Sequence, residues 1–205
     1  MQTSVFGDNE QLLPYDGELI YIPSISTIEE ANQYLDNLMN NDSWRNDVVS
    51  MYGKKIVTNR KVAWWGDKPY PYTYSNNQKL ADTWPDVVKR IKSRIEKAAN
   101  EKFNSCLGNL YLDGDIGMSW HSDDEPELQK EGTIASYSLG APRKFVFRHK
   151  QTKLKVEMVL QHGSLLLMKG RTQEYWQHAL PKSKKVKTPR INLTFRQMKP
   201  LLQST

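Results

Sequence analysis

The sequence predicts an α+β fold: a double-stranded β-helix (jelly-roll) core, buttressed by N-terminal helices and covered by a strand-rich lid. Three observations predict it. Apolar residues recur at helical spacing only in the first half of the chain, short strands separated by turn residues follow Lys102, and the stretch between the two helices is aromatic and turn-rich. Helices first and many short strands afterwards fit an antiparallel barrel with helices packed outside it. A chain of 205 residues is long enough for one sizeable core and too short for two ordinary ones. Residues 1–205 therefore read as a single domain, with a loose lead at 1–14, a lid at 44–76 and the jelly-roll core at 105–198.

Met1 to Gly17 has no basic start followed by an apolar stretch, so neither a signal peptide nor a membrane span is expected. The first helix opens at Ser26-Thr27-Ile28-Glu29, which has capping-box form. Ile28, Ala31, Leu35 and Leu38 then recur at helical spacing up to about Asn40. The second begins near Pro85, a residue suited to a first helical turn, with Val87 or Val88, Ile91, Ile95 and Ala98 as its apolar stripe. Between them, Trp44 to Ser75 is rich in Tyr, Trp, Val, Gly and Pro and reads as short strands and turns. Further strands are predicted at 109–112, 116–121, 134–139, 143–148, 153–160, 164–168 and 191–196. In one of them Leu154, Val156, Met158 and Leu160 alternate with Lys153, Lys155, Glu157 and Val159, the pattern of a strand with one buried face.

The formal charge of +6 permits a phosphate-bearing partner without identifying one. The one cysteine, Cys106, cannot form an internal disulfide and reads as a small buried apolar residue. An intracellular protein is expected, cytoplasmic or, in a eukaryote, nuclear, and not secreted.

Chemistry concentrates at two places. In Trp120-His121-Ser122-Asp123-Asp124-Glu125, where a strand pattern ends, His121 and Asp123 are two apart and project from one strand face, so both can reach one metal ion. Alone, this triplet is also the pattern of a solvated acidic loop. A non-heme iron(II) site requires a second imidazole. His149 and His162 fall in turns, which leaves His178, set among apolar residues, as the better candidate.

The second place is Arg190-Ile191-Asn192-Leu193-Thr194-Phe195-Arg196. Alternation puts Arg190, Asn192, Thr194 and Arg196 on one face and the apolar residues on the other. The two arginines stand about 20 Å apart at ~3.3 Å per residue, and their long side chains can converge on a small dianion. The arginine fork matches a carboxylate, so a dicarboxylate such as 2-oxoglutarate suits this face.

His121-x-Asp123, then His178, then Arg190-x-Asn192-x-Thr194-Phe195-Arg196, in this order and at these separations, resembles the AlkB family of nucleic-acid demethylases. The likeness spans roughly residues 15 to 198. Asn109-Leu110-Tyr111 before Asp113-Gly114, Gly163-Ser164-Leu165-Leu166, and Trp65-Gly66-Asp67 before Tyr72-Thr73-Tyr74-Ser75 extend it. His121-Ser122-Asp123-Asp124-Glu125 is most similar to the DNA-repair branch. The resemblance implies an Fe(II)- and 2-oxoglutarate-dependent dioxygenase that uses O2 to demethylate bases of the 1-methyladenine and 3-methylcytosine type, releasing formaldehyde, succinate and CO2. It implies His121, Asp123 and His178 as iron ligands and Asn109, Tyr111, Arg190, Thr194 and Arg196 around 2-oxoglutarate, with Arg190 gripping the carboxylate remote from the metal and Asn192 beside it.

On the substrate side it implies that Glu125 accepts a hydrogen bond from the exocyclic amino group of the base. Tyr72, Thr73 and Tyr74 fall at the base pocket, where a base turned out of its stack rests against aromatic rings. Trp64 and Trp65 read first as core beneath the barrel mouth, with Trp65 a further candidate for the pocket. Lys54-Lys55, Arg60-Lys61 and the lysines between Lys182 and Lys187 are candidate phosphate contacts or solvated loops. No segment of 44–58 matches the family's base-displacing finger. Methylated DNA, and RNA with it, is the expected partner of a monomer that binds no membrane. The alternatives are an oxygenase acting on a protein, lipid or small molecule, and an inactive module that binds methylated strands.

Overall fold

The computed structural model describes residues 11–51, 54–74 and 77–200, and side chains for all of these except 49–55 and 72–79. In chain order the elements are β1 (Glu18–Ile22), α1 (Ile28–Met39), β2 (Arg45–Met51), β3 (Lys54–Gly66), β4 (Pro71–Tyr74), β5 (Asn77–Leu80), α2 (Asp86–Ala99), β6 (Ser105–Tyr111) and β7 (Met118–His121). There follow β8 (Ile134–Gly140), β9 (Arg143–His149), β10 (Lys155–Leu160), β11 (Leu165–Lys169), α3 (Thr172–Tyr175), β12 (Trp176–Leu180) and β13 (Arg190–Arg196). The larger sheet runs β1-β11-β8-β13-β6-β3-β2, the smaller β10-β9-β12-β7, and β4 pairs with β5. Every strand pair is antiparallel.

Two cores flank the larger sheet. Outside it, Leu38 of α1 and Val88, Ile91 and Ile95 of α2 pack on Trp65, Cys106, Leu110, Ile191, Leu193 and Phe195. Between the sheets, Tyr111, Ile134, Leu166 and Met168 meet Phe145, Phe147, Leu160, Trp176 and Leu180. Each large aliphatic side chain buried on α2 contributes roughly 1.5–3 kcal/mol. That face, more than intrinsic helix propensity, holds the helix in place. β13 is consequently covered on both sides, its apolar residues by the helices and its polar ones by the smaller sheet.

Local details depart from the sequence pattern. The α1 capping box is one residue later than expected: the Glu30 N–H donates to Thr27 Oγ1 at 3.2 Å and the Thr27 N–H to Glu30 Oε2 at 2.9 Å. Ile28, placed on the apolar stripe, is 57% exposed because it sits at the outer side of that first turn. On α2 the stripe ends at buried Ala99, while Ala98 is exposed. Leu154 precedes β10 and is exposed, since Lys153 adopts a left-handed φ of 62° that turns the chain before the strand begins. β1, β5 and β12 have no counterpart among the predicted strands. No helix among the described residues is long and apolar enough to cross a membrane.

Candidate active site

His121 closes β7 and lies directly opposite His178 on β12. The strand ends there, so Asp123 reaches the same point from the following loop, where its N–H donates to Gln173 Oε1 at 2.9 Å. Ligand atoms of His121, Asp123 and His178 all lie within 4.8 Å of one another. His121 Nδ1 is 2.8 Å from the Ser119 carbonyl, an acceptor only, so Nδ1 carries the proton and Nε2 is left for a ligand role. The His178 ring packs against Phe145 and Phe147, and its Nδ1 is buried without a hydrogen-bond partner. Burial, reinforced by the neighbouring His121 and opposed by Asp123, pushes His178 down to about 3, so its imidazole is neutral near pH 7. Burial opposes ionisation of Asp123, but Arg196, His178 and His121 outweigh it and hold the carboxyl below its usual range. Arg196 donates to Asp123 Oδ1 at 2.8 Å.

A polar ladder extends from the triad along β13. Arg190 donates to Ser138 Oγ at 2.9 Å and to Asn192 Oδ1 at 3.0 Å. Ser136 also donates to Asn192 Oδ1, and Asn192 Nδ2 donates to Thr194 Oγ1 at 2.7 Å. From β6, Asn109 and Tyr111 face the same space, with Arg190 5.6 Å above the Tyr111 ring. All of these are buried, and all but Ser138, which backs Arg190 from behind the wall, line one cavity of about 370 Å³ together with the triad. Two polar atoms on its wall, Arg190 Nε and Asn109 Oδ1, are buried without partners. Buried polar atoms are seldom left so, which marks this end as a place for a polar ligand. The two arginines do not converge as a pair, because Arg196 is committed to Asp123 and lies 3.8 Å from Glu125.

The cavity's other end is formed by Ser43, Asp47, Arg60, Trp64 and Leu80, with Glu125 beside the triad. Trp65 is not there. It is fully buried on the helix side of β3, edge-on to Trp44, because β3 alternates against β6 with Trp64 inward and Trp65 outward. Arg60 is not a surface phosphate contact either: it is buried and donates to Asp47 Oδ2 at 2.6 Å. Tyr72, Thr73 and Tyr74 form β4, but their side chains, like those of Lys54 and Lys55, lie outside the described residues. Lys182, Lys184, Lys185 and Lys187 are exposed in the loop before β13. His149 ends β9 instead of lying in a turn, with Nε2 3.3 Å from Asp16, and His162 accepts the Gly140 N–H; neither approaches the triad. Sequence reading missed Ser136, Ser138 and Gln173. The two serines were legible only as alternate residues of β8 opposite Thr194 and Asn192.

Residues 18–196 match the family model of the 2OG-Fe(II) oxygenase superfamily. The chain is 41% identical over 165 residues to bovine DNA oxidative demethylase ALKBH2, covering 77% of this chain and 59% of that one. To human alpha-ketoglutarate-dependent dioxygenase alkB homolog 3 it is 36% identical over 187 residues, 87% of this chain and 65% of that one. The chain belongs to the AlkB family of this superfamily. It thus spans about three fifths of the length of the first relatives it matches. The solved structure of OsALKBH1 shares its fold, with a TM-score of 0.59 at 16% identity, over 87% of this chain and 97% of that one.

An AlkB-family site takes Fe(II), 2-oxoglutarate and O2. The residues present fit them. A neutral buried imidazole with an orphaned nitrogen, a second imidazole in a fixed tautomer and an ionised carboxylate are the donor set of a facial two-histidine, one-carboxylate iron site. The unsatisfied Arg190 Nε, on a guanidinium whose partners here are neutral oxygens, suits a carboxylate.

Proposed function

We propose that the chain is an oxidative demethylase of N-alkylated nucleobases of the 1-methyladenine and 3-methylcytosine type, in DNA and by the same chemistry in RNA. The observation that carries the reading is one cavity with three parts: an arginine-anchored polar end, the His-Asp-His triad, and an opposite end floored by Trp64. A jelly-roll core over 105–198 with a lid over 44–76 is the architecture that goes with it.

With O2, Fe(II) and 2-oxoglutarate supply the oxidation of the N-methyl group, which leaves as formaldehyde while succinate and CO2 form. The chain supplies positioning. Arg190 binds the carboxylate remote from the metal, with Ser138 and Asn192 fixing its guanidinium, and Asn109, Tyr111, Thr194 and Arg196 complete the co-substrate wall. Arg196 also holds Asp123 ionised and oriented. Phe145, Met118 and Leu180 keep water from the reacting centre. Glu125 accepts a hydrogen bond from the base's exocyclic amino group, Tyr72, Thr73 and Tyr74 of β4 serve as base contacts, and the Lys182–Lys187 loop meets phosphates.

The test is anaerobic reconstitution with Fe(II) and 2-oxoglutarate, then O2 and an oligonucleotide carrying 1-methyladenine or 3-methylcytosine. Mass spectrometry should find each modified base lighter by one methylene. An unchanged strand alongside succinate formation overturns the nucleobase reading and leaves an oxygenase of another substrate.

A further inference from the structure

Arg143, the first residue of β9, is 2% exposed, yet its hydrogen-bond partners are three backbone carbonyls and no carboxylate. It donates to Asp113 O at 3.2 Å, Ile116 O at 2.9 Å and Pro181 O at 2.9 Å. Burying a cation costs several kcal/mol, and a well-packed apolar side chain would fill the space without that cost. The charge and the three-way reach therefore point to a role other than packing.

The three carbonyls belong to two loops that are pressed together. Gly114 donates to the Val186 carbonyl at 3.0 Å and Ser183 to the Gly114 carbonyl at 2.7 Å. A Cβ on Gly114 would stand 1.9 Å from the Ser183 carbonyl oxygen, so only glycine permits this approach. The 112–117 loop follows Tyr111 on β6 and leads into β7 and His121. The 181–189 loop follows β12, which carries His178, and leads into Arg190. Arg143 thus ties the loops at the ends of the strands that hold both histidines, Tyr111 and Arg190. It is also electrically close: burial lowers Arg190 to about 10, Tyr111 opposes this, and the charge of Arg143 lowers it further.

We propose that Arg143 is a positioning residue for the co-substrate: by clamping the 112–117 and 181–189 loops it fixes Tyr111 and Arg190 around the carboxylate remote from the metal. This rests on the reading of Arg190 as that carboxylate's anchor.

The test uses the full chain loaded with Mn(II) and no O2, so that binding is read without turnover. Calorimetry compares 2-oxoglutarate with pyruvate, a 2-oxo acid that lacks the remote carboxylate. Arg143→Lys keeps the charge but not the planar fork that spans three carbonyls, and should weaken 2-oxoglutarate about tenfold. Arg143→Met should weaken it further, and pyruvate should change by less than about twofold in both. Should Arg143→Met not fold, Arg143→Lys decides. Equal loss for both acids, or no loss for either, overturns the proposal. A wild-type protein that binds pyruvate and 2-oxoglutarate equally well overturns instead the co-substrate reading of Arg190.

Discussion

At the Arg190 end of the cavity, polar side chains of β13 and β8 bond one another in a continuous ladder of Arg190, Ser138, Asn192, Ser136 and Thr194, all buried. At the Trp64 end the wall mixes the apolar Trp64 and Leu80 with Ser43, and its buried charge is the Asp47–Arg60 pair at 2.6 Å. The first end is fixed by mutual hydrogen bonds on central strands, so its few unsatisfied atoms specify a single small ligand. The second is built on β2 and β3 at the edge of the larger sheet, where Asp47 sits at a register shift between Asn46 and Val48. Such irregularities re-aim side chains, and they suit a wall that, on the proposed reading, receives the nucleobase.

The largest effects should fall where the two ends meet. Asp123→Ala and His121→Ala should each reduce succinate formation by more than about a thousandfold, since each removes one of the three proposed iron ligands. Their stabilities should differ. Asp123→Ala removes the 2.8 Å partner of buried Arg196 and should cost about 3–5 kcal/mol. His121→Ala, at a half-exposed ring, should cost below about 1 kcal/mol in urea denaturation. Equal costs would show that Arg196 does not depend on Asp123.

Next comes a pair that separates the ends. Arg190→Met should lower 2-oxoglutarate affinity roughly a hundredfold, the loss of charge-assisted hydrogen bonds worth about 1.5–3 kcal/mol each, and leave oligonucleotide affinity unchanged. Asp47→Asn should do the converse at smaller amplitude. Weakening its bond to Arg60 by about 1–2 kcal/mol should raise the KM for a methylated oligonucleotide up to about tenfold with 2-oxoglutarate untouched. If either variant moves both constants equally, the ends are one mechanical unit.

The same contrast explains what could be read in advance. The polar face of β13 and the His-x-Asp spacing were legible because alternation and residue type act locally. The difference between Trp64 and Trp65 was not, because it depends on Trp64 pairing with Leu107 and Trp65 with Cys106, a long-range register. Arg60 looked like a surface cation because its partner, Asp47, is brought to it by a hairpin irregularity with no sequence signature. β12 was invisible as a strand: Trp176–Leu180 is short and largely buried, so it shows no alternation, although His178 stood out by its apolar setting. Arg143 drew no notice because three carbonyls from distant loops define its site.

The smallest effect should come from a residue remote from both ends, Glu96 on α2. Burial pushes its carboxyl up, but Lys92 at 2.8 Å, the Phe103 N–H at 3.0 Å and Lys102 at 3.1 Å together hold it below the usual range. Because the folded carboxyl ionises more readily than the unfolded one, which titrates near ~4.3, its contribution is complete above that value. It is lost as pH falls through the lower folded value. Glu96→Gln should therefore lower the melting temperature by roughly 2–4 °C at neutral pH, the shift that about 1 kcal/mol produces in a domain of this size. The gap between variant and wild type should close in acid. Neither the 2-oxoglutarate affinity nor the oligonucleotide KM should move, because α2 packs on the outer face of the larger sheet and lines no part of the cavity. A change in either constant would mean that the helix layer transmits strain through β13 to the site, and that the division between the ends holds only while the outer core is intact.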